Sequence, residues 1–169
     1  MNNSFKYQAP YSEEQLQEAV LTNLSDRFDI EKEEYGDYTF EYLGALATLA
    51  VETIPNSCIC IFIAHELGEN IVHLPKILEL CNIVNSKLEM CVATIFNNFI
   101  MIKATVFVPD LKYVDESVNI ALSKLKEGAQ YLYTLLDNFT IAGCPKNYDF
   151  MADYIKESYT TGLASLTKE

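Results

Sequence analysis

One apolar stripe that runs for about seven helical turns constrains this fold more than any other feature of the 169-residue chain. Its nine members recur at spacings of three and four residues, which is the period of one helix face. A helix with so long an apolar face needs a broad surface to pack on, and we predict one over residues 113–139. The stripe consists of Val114, Val118, Ala121, Leu122, Leu125, Ala129, Leu132, Leu136 and Phe139.

Two shorter helices are predicted upstream of this long one. Ser12 and Gln15 have the spacing of a capping box, so a helix is predicted over residues 12–28, fading near Asp29. Pro75 stands at a position that the first turn of a helix tolerates. The apolar stripe that follows it predicts a second helix over residues 74–88.

Runs with a period of two residues predict five strands between these helices. Residues 38–42 alternate apolar and polar side chains, and residues 58–64 form a β-branched run. Residues 45–53 suit a helix or a strand, and we interpret them as the middle of three consecutive strands. Residues 91–96 and 99–108 form a predicted hairpin around two asparagines. The order α-β-β-β-α-β-β-α indicates an α+β fold, with a five-stranded antiparallel sheet and helices packed on one face.

A chain of this length usually forms one domain. We predict a flexible N-terminus over residues 1–11, a single α+β domain over residues 12–140 and a helical C-terminal extension over residues 141–169. An amphipathic helix is predicted in that extension from about residue 148 to residue 163.

The expected cellular setting follows from two absences in the sequence. The longest stretches without a charged residue have 13 residues, whereas a membrane-spanning helix needs about 20. The polar N-terminus has no signal-peptide pattern. We therefore expect a cytoplasmic protein that contacts no membrane and whose five cysteines are reduced thiols.

The chain is strongly acidic, with a formal net charge of −12. Such a charge repels phosphate backbones, so nucleic acid is excluded as a partner. Ten acidic and two basic residues between positions 12 and 41 account for −8 of this charge. This segment is either a solvated face or a surface for a basic partner, and Glu31, Glu33 and Glu34 are its candidate contact residues.

The run LPKILELCNIVN at residues 74–85, together with the element order, resembles the YbjN family, which shares the fold of type III secretion chaperones. That family carries an Asn-x-x-Asn pair on this helix, matched here by Asn82 and Asn85, before a hairpin and a long amphipathic helix. The resemblance covers residues 12–139. It implies a small acidic homodimer of bacterial type that binds protein segments in a chaperone-like or regulatory role. From their spacing, the two asparagines either hold a loop or strand end or contact a ligand directly.

Common motifs of catalysis and phosphate binding are missing from the sequence. It contains neither a G-x-S-x-G elbow nor a glycine-rich phosphate loop, so we predict no enzyme activity and no cofactor. Cys58 and Cys60 precede His65 and His73 in the sequence, and these four residues are a conceivable ligand set for zinc. Their spacing is unfamiliar for zinc, and cysteines in an apolar strand are typical core residues, so we predict no metal.

The leading interpretation is therefore a cytoplasmic, non-enzymatic module that binds a segment of a partner protein through an apolar sheet face or groove with an acidic rim. A homodimer is expected. The alternative is a sensory or regulatory protein that binds a small molecule or a metal. The predicted partner-binding residues are Phe99, Met101 and Val106 in the hairpin, Tyr131 and Tyr133 in the long helix, and Tyr154 in the extension.

Overall fold

The computed structural model describes residues 10–34, 36–52, 57–66, 74–96 and 99–138. The predicted α+β class is confirmed, and a 3₁₀ turn, Leu111–Tyr113, leads into the last helix. The elements in chain order are α1 (Glu13–Ser25), β1 (Ile30–Lys32), β2 (Tyr38–Tyr42), β3 (Ala45–Glu52), β4 (Cys58–Glu66), α2 (Leu74–Lys87), β5 (Cys91–Phe96), β6 (Phe99–Phe107) and α3 (Val114–Asn138).

The sheet has six antiparallel strands in the order β1-β2-β3-β4-β6-β5, so the prediction of five strands is one too few. The missed strand, β1, is three residues long and carries no apolar alternation. It is held by its pairing with β2 and by a tight turn. In that turn the Glu33 N–H donates to the Asp37 carbonyl at 2.8 Å, and the Gly36 N–H donates to the Glu33 carbonyl at 2.9 Å. Main-chain geometry forms this strand, and side-chain patterning does not reveal it.

The segment that suits either a helix or a strand forms β3, as predicted. A two-residue turn makes it pair with β2, since Leu43 and Gly44 have φ angles of 56° and 71°. Positive φ at both central residues is the geometry of a tight hairpin turn. Burial then alternates along β3, with Ala47 and Leu49 fully buried and Leu46 exposed.

All three helices lie on one face of the sheet. The predicted capping box of α1 is present, because Ser12 Oγ accepts from the Gln15 N–H at 3.2 Å and Gln15 Oε1 accepts from the Ser12 N–H at 2.9 Å. The helix ends at Ser25, earlier than predicted. Phe28 therefore leaves the helix, and its ring centroid lies 5.0 Å from that of Phe40 in β2.

A single hydrophobic cluster joins the helices to the covered face of the sheet. Tyr11 belongs to it and donates its hydroxyl to the Val108 carbonyl, so ordered packing begins at least at residue 11. The predicted extension 141–169 lies outside the described residues. Within the described ranges, no helix is both long enough and apolar enough to cross a membrane. The largest fully buried side chains are Phe40, Leu16, Leu24, Ile59, Ile61, Ile63, Ile77, Leu80, Ile102, Leu125 and Leu132.

Candidate functional site: the open face of the sheet

Neighbouring residues of a strand point to opposite faces of a sheet, so each strand contributes one row of side chains to the core and one to the other face. We call the face opposite the helices the open face. The large apolar side chains on this face are exposed or half-buried although they lie on four paired strands. They include Leu46, Phe62, Val92, Phe96, Phe99, Met101 and Phe107.

The β5–β6 hairpin carries the most prominent part of the open face. Phe96 and Phe99 are paired across the hairpin, and their exposed fractions are 65% and 40%. Met101 follows on the same side of β6, and its neighbour across the strand pair is Thr94. The tip of the hairpin thus presents two aromatic rings to solvent beside a flexible thioether, a combination suited to contact with varied apolar side chains.

One cation lies in the middle of the open face. Lys103 is flanked in register by Phe62 on β4 and Val92 on β5, and the same row continues to Thr48 and Thr39. Among the described residues, no carboxylate lies within ion-pair distance of the Lys103 ammonium. The centre of the open face is therefore apolar with one donor group and a few hydroxyls, while Glu41 and Glu52 add carboxylates toward its β2 and β3 side.

The predicted partner-binding residues divide between the two faces. Phe99 and Met101 lie on the open face. Val106 and Tyr133 are buried in the core, with exposed fractions of 4% and 3%, so they are not available at the surface of this chain. Tyr131 is partly buried against the core.

Val106 is buried because it differs in strand parity from Phe99 and Met101, which places it on the helix-covered side. Tyr154 lies outside the described residues. The prediction missed Leu46, Val92, Phe96 and Phe107. The alternation of β5 and β6 is the signal that would have found three of them, because Val92, Phe96 and Phe107 share the parity of the exposed positions.

The acidic segment borders the open face at the β1 edge. Glu31 pairs in register with Thr39, and both Glu31 and Glu34 are exposed. The carboxylate of Glu33 accepts a hydrogen bond from the Thr39 hydroxyl at 3.0 Å, so this residue also has a structural role in the β1–β2 turn. Of these three exposed residues, Glu31 and Glu34 therefore remain for a partner.

Of the two asparagines of the predicted pair, Asn85 has a structural role. Asn85 Nδ2 donates to the Ala93 carbonyl at 2.9 Å, and the Ala93 N–H donates to Asn85 Oδ1 at 2.7 Å. Both bonds satisfy the outer edge of β5, which pairs with β6 only on its other side. Of the two predicted roles, the structure therefore supports holding a strand for Asn85. Asn82 is exposed on the same helix.

Replacing Asn85 by alanine is expected to lower the free energy of unfolding by about 1–2 kcal/mol, because two hydrogen bonds of about 0.5–1.5 kcal/mol each are lost. Asn82→Ala is the matched control and should change it by less than about 0.5 kcal/mol. Urea unfolding of both variants measures the difference. Equal effects of the two substitutions would contradict the role given to Asn85.

The structure separates three of the four residues of the conceivable zinc site. Cys58 and Cys60 lie on the open face, whereas His65 lies on the helix-covered face, where its ring centroid is 5.5 Å from that of Tyr133. Side chains on opposite faces of one strand cannot ligate the same ion. His73 lies outside the described residues, and within those residues no group of three or more metal-ligating side chains occurs.

Burial keeps the thiols protonated. It raises the pKa of Cys60, and it raises the pKa of Cys81 and Cys91 to about 11. The pKa of Cys58 is raised as well, mainly by burial and to a lesser extent by the nearby Glu52 carboxylate. Because the thiolate is the nucleophile and the metal ligand, the raised pKa makes these four cysteines less reactive at neutral pH than a free thiol.

His65 gives the fold a specific pH dependence. Burial lowers its pKa below the ordinary 6.5, so the unfolded chain takes up a proton at a pH where the folded chain does not. Stability from this residue is therefore complete above about pH 6.5 and is lost as the pH falls below it.

Urea unfolding at about pH 7.5 and about pH 5.5 should show a larger loss of stability in the wild type than in His65→Phe. Contributions from His73 cancel, since both chains contain it. The same pH dependence in both chains would contradict the assignment.

Comparison with known proteins supports the fold. No protein-family model matches the sequence, and no curated protein matches it. A crystal structure of YbjN from E. coli, provisionally described as a transcription regulator, superposes with a TM-score of 0.55 at 11% sequence identity. The match covers 78% of this chain and 96% of YbjN. The chain thus has a YbjN-like fold, in agreement with the fold that the sequence resemblance implies.

Proposed function

We propose that this protein is a non-enzymatic binding module whose open face takes up an apolar segment of a partner protein. One observation carries the proposal. Of the nine large apolar side chains that are most exposed among the described residues, five lie on the open face. Apolar surface concentrated on one face is typical of an interaction site. The five are Leu46, Val92, Phe96, Phe99 and Phe107.

The strand edges favour docking on the face over addition of a strand. Asn85 occupies the main-chain groups of Ala93 at the β5 edge. The opposite edge strand, β1, has only three residues and carries charged side chains. Short, charged or capped edges resist pairing with another chain. A partner segment therefore binds across the strands, with its apolar side chains against the aromatic residues of the hairpin.

Charge defines the partner further. Glu31 and Glu34 are exposed at the β1 side of the open face, and the chain carries a net charge of −12. A partner whose apolar segment is flanked by basic residues complements this rim and is steered toward it. The protonated thiols support a binding role over nucleophilic chemistry. A regulatory role for YbjN is compatible with the same mode of action.

Site-specific photo-cross-linking in cells tests the proposal. A photoreactive amino acid replaces Phe96 on the open face, and the same group replaces Leu78, an exposed apolar residue of α2 that serves as the matched control. We expect a partner protein to be cross-linked at position 96 and not at position 78. The same set of products at both positions, or no product at position 96, would overturn the proposal.

A further inference from the structure

We propose that the C-terminal segment, residues 141–169, docks on the open face of its own chain and is displaced when a partner segment binds. This inference rests on the proposed function of the open face and gives that face a resident occupant. It makes the segment an internal competitor, so that only partners that bind more tightly than the segment gain access.

The first support is the place where the chain leaves α3. The 25 residues of α3 span about 37 Å, and the nine residues of β6 span about 30 Å, so the helix runs back along the whole strand. Near its end, Tyr133 stacks edge-on against His65, which pairs with Ile100. The chain therefore leaves the helix beside the hairpin that carries Phe96 and Phe99.

The second support is length. Residues 139–169 provide 31 residues after the end of α3. The nine residues 139–147 reach up to about 30 Å when extended, which is enough to pass the end of the sheet. The predicted helix over the 16 residues 148–163 is about 24 Å long, and six strands spaced by about 4.8 Å have the same width.

The third support is chemical complementarity. One side of the predicted helix is apolar and aromatic, and the acidic residues Asp149, Asp153 and Glu157 fall on the other side. Tyrosine rings match the apolar surface, and their hydroxyls are able to accept from the Lys103 ammonium in its centre. The apolar stripe consists of Tyr148, Met151, Ile155 and Tyr159.

Because the segment belongs to the same chain as the open face, weak contacts are enough to keep it bound there. A short linker holds the segment at an effective concentration in the millimolar range, so even a modest intrinsic affinity keeps the face occupied. A partner must then overcome this competition, and it does so most easily when the basic residues of the partner also engage the acidic rim.

Cross-linking of the purified full-length chain tests the inference without any partner. With the photoreactive group at position 96, we expect a product of monomer mass in which that position is joined to a peptide from residues 141–169. The group at position 78 should give no such product. A product of dimer mass would identify a second copy as the occupant, and no product would leave the face empty; either result overturns the inference. Neither of these results would contradict a partner cross-link at position 96 in cells, so the proposed function is tested separately.

Substitutions in the segment provide a second measurement. Exchanging both Met151 and Ile155 for serine should release the face, and the fluorescence of the apolar dye bis-ANS should rise several-fold. The control exchanges Phe150 and Asp153, which lie off the stripe, for serine and should give little change. Adding Phe96→Glu to the first variant should abolish the rise. Equal fluorescence in both double variants would contradict docking through the stripe.

Discussion

Replacing Leu125 by alanine is expected to lower the free energy of unfolding by about 2–5 kcal/mol, the largest effect foreseen for a single substitution in this chain. Its side chain is fully buried in α3 at the centre of the hydrophobic cluster. Truncation removes apolar contacts and leaves a cavity that the rigid sheet below cannot fill by relaxing.

The matched control for this substitution is Ser123→Ala, on the exposed side of the same helix. It should change the free energy of unfolding by less than about 0.5 kcal/mol. Urea denaturation measures both. A loss below about 1 kcal/mol for Leu125→Ala would show that this face of α3 does not carry the core.

Gly128→Ala is expected to destabilise the protein by about 1–3 kcal/mol, although alanine favours a helix by about 1 kcal/mol over glycine. Gly128 is buried in α3 where the helix lies against Cys91 of β5 and Ile102 of β6. An added Cβ would overlap with Cys91 Sγ and would lie 3.2 Å from Ile102 Cγ2. The overlap with buried, tightly packed atoms outweighs the gain in helix propensity.

A double-mutant cycle checks the cause. In a Cys91→Ala background the sulfur is absent, so the cost of Gly128→Ala should fall by at least about 1 kcal/mol. Thermal or urea unfolding of the four chains gives the coupling energy. A stabilising effect of Gly128→Ala in the wild-type background would contradict the close approach of α3 to the sheet.

The helices and most strands were predictable because local chemistry determines them. The serine cap of α1, the long stripe of α3 and the paired asparagines of the hairpin each indicate their element without tertiary information. β1 was not predictable, since its three residues are held by main-chain pairing with β2. The early end of α1 likewise depends on Phe28 packing against Phe40 in another element.

The candidate site was predictable in kind and in two of its residues, Phe99 and Met101. An apolar surface on an acidic protein was expected from the element order and the net charge, yet Tyr133 is in the core because it packs against His65 on a neighbouring strand. The helical spacing of apolar residues predicts which face of α3 is buried, but it does not predict a contact with a residue of another element. Val106 shows a different error, because strand parity alone separates it from Phe99.

Calorimetric titration with a synthetic peptide tests the central claim most directly. The peptide carries the partner segment that is cross-linked at position 96, and it is added to the wild type, to Met101→Glu and to Leu78→Glu. Binding should show a negative heat-capacity change from burial of apolar surface. A carboxylate in the open face should weaken binding about tenfold or more, because it must be desolvated without a matched partner. The exposed control on α2 should leave the affinity unchanged. Wild-type affinity in Met101→Glu, or an equal loss in Leu78→Glu, would contradict binding through the open face.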